Sequence, residues 1–278
     1  MTAVSVVVPA RDAAHILDSC LSSIERSDPF ELIVVDGCST DATREIARSH
    51  GATVISDDGM GLPEARRRGA EAATSAWVAL VDADVILPDG ALEKLVHEAT
   101  TRGYSAIQAG LHSISNGDYW GQALAYHHRT GRSRNWFGLV ATVIRREDLL
   151  RLGFDDRFSS GEDIDFRWRL RKAGLRTAVS RSTIALHRFE GGFDFAKGQW
   201  NADGRGLARM IRTHGIRGAT LMALPLAATA RGVVLCILAR QPKYIAYYLC
   251  YGVYNYKAIF TELLQGRSSS TITKPHSA

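Results

Sequence analysis

Four times within residues 1–103 the chain passes from a short apolar run to a segment with helical spacing, and this alternation restricts the fold more than any other feature. The runs are VSVVVPA, ELIVVDG, ATVIS and AWVALVD. The first is β-branched and too short for a helix, the pattern of a strand buried on both faces. After it, Ile16, Leu17, Cys20, Leu21 and Ile24 share one helical face, with Asp12 as the expected N-cap. STDATREIARSHG reads as a second helix closed by Gly51, and LPEARRRGAEAA as a third with Pro63 in its first turn. PDGALEKLVHEATTRG reads as a fourth helix, opening at Pro88 and closing at Gly103. Strands alternating with helices predict right-handed crossovers and a mostly parallel central sheet flanked by helices, an α/β, Rossmann-like class.

In such sheets the ligand site lies past the carboxyl ends of the strands. Those ends carry Pro9-Ala10-Arg11, Asp36-Gly37, Ser56-Asp57-Asp58 and Asp82-Ala83-Asp84. Three of the four are acidic, as a site for a cation and for hydroxyl and amide donors would be. Asp82 and Asp84 stand one residue apart where a buried strand gives out, and neither carboxylate can be deeply buried without a positive partner. A bound cation is the expected partner.

Charge divides the chain. Residues 181–278 hold 13 Lys/Arg against 4 Asp/Glu, whereas residues 1–180 hold 21 against 25. The basic third also contains the long apolar stretches ATLMALPLAATARGVVLCILA and YIAYYLCYGVYNYKAIFTELL. That combination points to an anionic membrane surface rather than to nucleic acid. Both stretches are long enough to span a bilayer. Arg231 in the first, and Lys257 with the tyrosines in the second, suit a helix lying at the headgroup level better. An inserted hairpin and a soluble helical subdomain are the alternatives. Upstream, FDFAKGQWNADGRGLARMIRTHG reads as a basic amphipathic helix pair broken near Asp203-Gly204. Four cysteines without C-x-x-C spacing argue against structural zinc and a disulfide framework, and suit a reducing compartment. No secretory signal is expected near Met1. No P-loop and no dinucleotide-binding glycine pattern follows a strand.

Together VSVVVPARDAAHILDSCLSSI, VVDGCSTDATREIA, GLPEARRRGAEAA, VALVDADVILPDG and FSSGEDIDFRWRLRKAG resemble, in order and spacing, a family 2 glycosyltransferase of the GT-A fold. The resemblance covers about two-thirds of the chain. It implies an inverting enzyme that moves a sugar from a nucleotide diphosphate donor to a hydroxyl. It also implies that Asp82 and Asp84 form the D-x-D motif holding Mg²⁺ or Mn²⁺ against the donor diphosphate, a hard-cation task for carboxylates. Pro9, Ala10, Arg11 and Asp36 would then line the nucleotide pocket together with Ala83 and the strand-end Asp58. The usual acidic pair plus glycine reads Asp36-Gly37-Cys38 here. Arg66 falls where the family places an arginine near the donor, and Arg67 stands in place of the usual asparagine.

Glu162 and Asp163 match the family's acidic pair, with Asp163 as the general base for the acceptor hydroxyl and Glu162 as an acceptor anchor or supporting group. Their helix is expected to pack through Ile164, Trp168 and Leu175. Carboxylates at a helix N-terminus are favoured by the backbone dipole in any case. His187 follows a β-like run and is a candidate third metal ligand or a structural hydrogen-bonder. Between these motifs, HHRTGRSRNWFGLVATVIRRED begins as a loop, whose Arg132, Arg134 and Trp136 are candidates for acceptor or diphosphate contact, and continues as a strand entering a helix.

The expected organisation is a catalytic domain over 1–192, with a nucleotide-sugar half to about 103 and an acceptor half over 104–192. Helices over 193–265 associate with the membrane, and 266–278 forms a disordered tail. The expected activity is metal-dependent transfer to a lipid-linked sugar or glycan, at the cytoplasmic membrane face, by a peripheral or monotopic protein. A polyprenyl-phosphate sugar synthase is the alternative enzyme. An inactive nucleotide-sugar binder would have lost the D-x-D or Glu-Asp pair. A nucleotidyltransferase would need a basic, glycine-rich loop after the first strand.

Overall fold

The computed structural model describes residues 3–130, 136–155, 157–158 and 160–268. Its strands are β1 (Val4–Ala10), β2 (Glu31–Asp36), β3 (Thr53–Ser56), β4 (Trp77–Val81), β5 (Val85–Ile86), β6 (Ala106–Ile114), β7 (Ala141–Arg145) and β8 (Thr177–Arg188). The helices are α1 (Ala14–Glu25), α2 (Thr43–Ser49), α3 (Leu62–Ala72), α4 (Ala91–Arg102), α5 (Tyr119–Thr130), α6 (Arg146–Leu152), α7 (Glu162–Lys172), α8 (Phe193–His214), α9 (Ile216–Ala219), α10 (Ala223–Leu238) and α11 (Ile245–Ser268).

One sheet takes the strands in the order β3-β2-β1-β4-β7-β6-β8-β5. The first four pair in parallel, as the alternation predicts. β7 is antiparallel to both β4 and β6, β8 runs parallel to β6, and β5 closes the edge antiparallel to β8. Strand alternation separates two cores. Val4, Val6 and Val8 face α1 and α4 through Leu17, Leu21, Leu92 and Leu95. Val7, on the opposite face, joins Ala65, Phe166 and Leu170 from α3 and α7. The topology therefore brings the ends of β1, β2, β4, β6 and β8 to one edge.

Local details depart from expectation where tertiary contacts outweigh propensity. Asp12 does not cap α1. It adopts φ 48°, and its carboxylate accepts from the Thr40 backbone N–H at 2.8 Å. α4 starts at Ala91 behind a left-handed Gly90, later than Pro88 suggested. His127–Thr130 complete α5 rather than opening a loop. Arg132 and Arg134 lie outside the described residues, and the Arg167 guanidinium sits 4.4 Å over the Trp136 ring. α7 packs on the sheet through Phe166 and Leu170, while Ile164 turns to the cluster of Leu207 and Ile259 and Trp168 meets His214.

The expected break at Asp203-Gly204 is absent, and α8 is a continuous 22-residue helix. Its glycines serve close approach instead. A Cβ on Gly204 would lie 2.4 Å from the Asn255 carbonyl oxygen of α11, and one on Gly206 would lie 3.0 Å from Gly161. α11 thus lies between α8 and α10, where Gly232 receives the Tyr248 ring. Residues 266–268, placed in the expected tail, continue α11, and 269–278 lie outside the described residues.

Candidate active site

Asp82 is the first residue past β4. Its N–H donates to the Val140 carbonyl at 2.8 Å, and its own carbonyl accepts from Val85 N–H at 3.1 Å, which closes a tight turn over Asp82-Ala83-Asp84. Val85 begins β5 and stands opposite His187 on β8. The neighbouring Arg188 fastens the turn from outside. Its backbone N–H donates to the Asp84 carbonyl at 3.0 Å, while its side chain reaches Ser19 Oγ at 2.6 Å and the Ile16 carbonyl at 3.0 Å. Strand register, not the turn sequence alone, aims the two carboxylates.

Each carboxylate finds a different positive partner. Asp82 Oδ1 accepts from Arg66 at 2.9 Å, and the other terminal nitrogen of Arg66 donates to Glu162 Oε1 at 2.7 Å. Arg66, expected beside the donor, is buried at 3 % exposure with both terminal nitrogens engaged by acids. Burial opposes its charge, and the two carboxylates more than restore it, so its pKa stands above the ordinary arginine value. Burial, with the adjacent charge of Asp84, raises the Asp82 carboxyl despite Arg66. Asp84 Oδ2 lies 3.3 Å from His187 Nε2. Burial disfavours the imidazolium, but Asp84 outweighs it and raises His187 above its usual value. Asp84 Oδ1 and His187 Nδ1 are buried and have no hydrogen-bond partner among the described residues.

Asp163 follows Glu162 in the first turn of α7, behind the left-handed Gly161. It is half-buried. Burial, reinforced by Glu162, pushes its carboxyl up to about 6, with Arg66 opposing. A Cβ on Gly138 would lie 3.4 Å from Asp163 Oδ2, so the small residue there keeps room beside the carboxylate. One buried arginine therefore joins the strand-end acid of β4 to the acids of α7.

At the other end of the edge, Pro9 and Ala10 are buried at the end of β1, paired with Val35 and Asp36. Arg11 is exposed. Asp36 is buried and lies 3.4 Å from Arg44, with Arg48, Cys38 and Ser56 around a cavity of about 270 Å³. Asp58 is exposed and paired with Arg68 at 2.6 Å. Its neighbour Asp57 is buried and accepts the Gly59 and Gly61 N–H groups, which shapes the turn into α3. Arg44 and Arg48 escaped the sequence reading. Their signal is helical spacing: four residues apart on α2, they share one face of the helix that follows the Asp36 strand end.

The family model for glycosyl transferase family 2 matches residues 5–157. The chain belongs to glycosyltransferase family 2. The succinoglycan biosynthesis protein ExoA of Rhizobium meliloti is 26 % identical over 258 residues, covering 84 % of this chain and 78 % of that protein. An uncharacterized glycosyltransferase of Mycobacterium tuberculosis is 33 % identical over 180 residues, covering 63 % and 81 %. Among solved structures, a Pyrobaculum calidifontis mannosyltransferase in complex with GDP-Man and Mn²⁺ superposes with a TM-score of 0.66 at 19 % identity, covering 94 % of this chain and 87 % of the other. Staphylococcus aureus TarS 1–349 in complex with UDP-GlcNAc gives a TM-score of 0.59 at 16 % identity, covering 95 % and 92 %. These structural likenesses establish the GT-A fold. The family 2 match ends before Glu162, Asp163 and His187, so the joining of the two acidic corners stands on this chain's own geometry.

Replacing Arg66 by leucine leaves two largely buried carboxylates without their counter-charge. Denaturant unfolding is expected to show a loss of about 3 kcal/mol, the lower end for a broken buried ion pair because Asp82 keeps 24 % of its side chain in solvent. A loss below about 1 kcal/mol, the level of a surface pair, would contradict the bridging role.

Proposed function

We propose that this family 2 glycosyltransferase is an inverting, metal-dependent enzyme that transfers a sugar from a nucleotide diphosphate to a hydroxyl of a glycan or lipid-linked sugar. The observation that carries the reading is the Arg66 bridge, which fixes a cation corner and a raised carboxylate relative to one another. Asp84 and His187 fit a hard or borderline divalent cation, since a carboxylate oxygen and an imidazole nitrogen are suitable ligands and each residue retains an unpartnered buried atom. Among the described residues no three His, Cys, Asp or Glu groups converge on one point, so the donor's phosphates belong in the ligand set. When bound, Mg²⁺ or Mn²⁺ supplies positive charge to the departing diphosphate.

The remaining work falls to the chain. Asp36 accepts from the nucleotide, and Arg44 and Arg48 add positive charge to that side of the pocket. Pro9, Ala10, Arg11 and Ala83 border the same edge. Asp163 takes the proton of the acceptor hydroxyl, and its carboxyl near 6 suits a base working at neutral pH. Glu162, tied to Arg66, holds the first turn of α7 in place. Asp58, paired with Arg68, stands at the rim of the same edge beside the turn that Asp57 shapes.

The membrane reading rests on where apolar side chains remain exposed. Ten of the sixteen exposed large hydrophobic residues among those described lie between Ile216 and Leu264. On α11, Leu249, Val253, Phe260 and Leu264 form one outward stripe with Lys257 among them. Ile216–Leu238 is long and apolar enough to cross a bilayer. Its docking favours a helix lying at the surface: α10 packs along α11, and Arg231 donates to the Thr130 carbonyl at 2.8 Å. The proposed location is the cytoplasmic face of the membrane, with apolar stripes in the headgroup region and basic residues beside anionic lipid.

Nucleoside diphosphate release from a panel of UDP-, GDP- and dTDP-sugars, with lipid extract as acceptor, tests the enzyme reading. Release from one donor is expected to stop with chelator and to fall at least a hundredfold in Asp163→Asn. The wild-type rate should decline as pH drops below about 6, because Asp163 becomes protonated there. Turnover indifferent to chelator, or an Asp163→Asn variant near wild type, would count against the mechanism. For the membrane, the triple variant Leu249→Glu, Val253→Glu, Phe260→Glu should lose sedimentation with phosphatidylglycerol vesicles. Retained sedimentation would remove α11 from the contact surface.

A further inference from the structure

The inward positions of α8 recur as Ala196, Trp200, Leu207 and Met210, all buried. Asp203 falls on the same stripe, three residues after Trp200 and four before Leu207, yet it is exposed. A packed helix face with one open position marks a cleft. Its first wall is the entry to α7: Ser160 Oγ donates to the Ala202 carbonyl at 3.0 Å, and the Gly161 backbone touches Gly206. Its second wall is α11, brought in by the contact of Gly204 with the Asn255 carbonyl.

Half-buried Tyr251 and Tyr254 stand at the surface of that second wall, backed by the fully buried rings of Trp200 and Tyr247. Trp200 stacks on Tyr254 at 5.7 Å between centroids and meets Tyr247 edge-on at 5.2 Å. Half-buried Tyr251, one turn beyond Tyr247, lies 5.0 Å from the His127 ring. Fully buried Asn255 leaves its Oδ1 without a hydrogen-bond partner among the described residues. Asp203 is exposed on this face. The contacts of Ser160 with Ala202 and of Gly161 with Gly206 bring its turn of α8 against the start of α7, which carries Asp163. Desolvation, followed by the charge of Asp163, pushes its carboxyl up to about 7.

We propose that the cleft between the α7 entry and α11 is the acceptor subsite and that it takes an uncharged sugar ring, with Asp203 accepting hydrogen bonds from ring hydroxyls. The inference rests on the reading of Asp163 as the base. A pyranose presents hydroxyls at its edge and C–H groups on its faces, and a carboxylate beside an aromatic ring complements both. A phosphate acceptor would bring its negative charge toward Asp163 and Asp203, and like charges so close are disfavoured. The subsite therefore favours a glycan hydroxyl over a lipid phosphate. Asp203 is assigned to acceptor recognition, separate from the donor corner.

Saturation-transfer NMR on the full chain tests this directly, with methyl glycosides of glucose, mannose, galactose, N-acetylglucosamine and rhamnose as probes and methyl phosphate as the counter-probe. The ring protons of at least one glycoside should receive saturation, methyl phosphate should not, and Asp203→Asn should abolish the glycoside signal while its melting temperature stays within a few degrees of wild type. In turnover, Asp203→Asn should raise the half-saturating concentration of that glycoside at least tenfold and that of the donor less than twofold. Asp203→Glu should recover part of the affinity. Saturation of methyl phosphate alone, of no glycoside, or an equal rise in both half-saturation constants would overturn the assignment. Glycoside binding lost in Asp203→Asn, in a protein that releases nucleotide from no donor, would support the subsite while refuting the transferase mechanism.

Discussion

The guanidinium of Arg66 lies between Asp82 and Glu162, two carboxylates that belong to different helix–strand units and are otherwise free to drift apart. Buried ion pairs of this kind add little net stability, because removing the charges from water offsets much of their attraction. What they fix is geometry. With both terminal nitrogens occupied at 2.9 and 2.7 Å, α3 ties the end of β4 to the first turn of α7. The Asp84–His187 pair and the raised carboxylate of Asp163 hang from that tie. Arg188 supplies the complementary constraint, holding the Asp82-Ala83-Asp84 turn from its outer side.

Two kinds of information were carried by the sequence to different degrees. Strand ends were legible because a buried strand announces itself by composition, and because a parallel sheet gathers its carboxyl ends at one edge. Asp36, Asp82, Asp84 and, through the register of β5 with β8, His187 reach that edge. The inward turn of Arg66 was harder to read in ARRRG, where three arginines look alike. Ala65, Gly69 and Ala70 mark the buried face of α3, and Arg66 falls on it. Gly204 and Gly206 misled for a related reason. A glycine in a helix weakens it locally, and only the approach of α11 and of Gly161 explains why two are present. Asp203 reads as part of a helix break until α8 is continuous, after which its place on the Trp200–Leu207 stripe is evident.

The C-terminal helices do more than adjoin the catalytic sheet. α8 and α11 pack their rings against each other on the inner side, while α10 presents Leu224, Leu226, Val234 and Ile237 to the surroundings. Inward chemistry and outward hydrophobicity thus occupy opposite sides of the same bundle. Arg231, reaching back to α5, fixes α10 to the catalytic body rather than leaving it as an independent anchor.

In the proposed mechanism Asp84 and His187 form half of a cation site that a donor diphosphate completes. Electron paramagnetic resonance of Mn²⁺ titrated with the protein, with and without UDP or GDP, measures this most directly. The free Mn²⁺ signal should be depleted only when protein and one of the nucleotides are both present, beyond what the nucleotide removes by itself, and Asp84→Asn should abolish the added depletion. Equal Mn²⁺ binding without nucleotide, or an Asp84→Asn protein that binds as well as wild type, would contradict it.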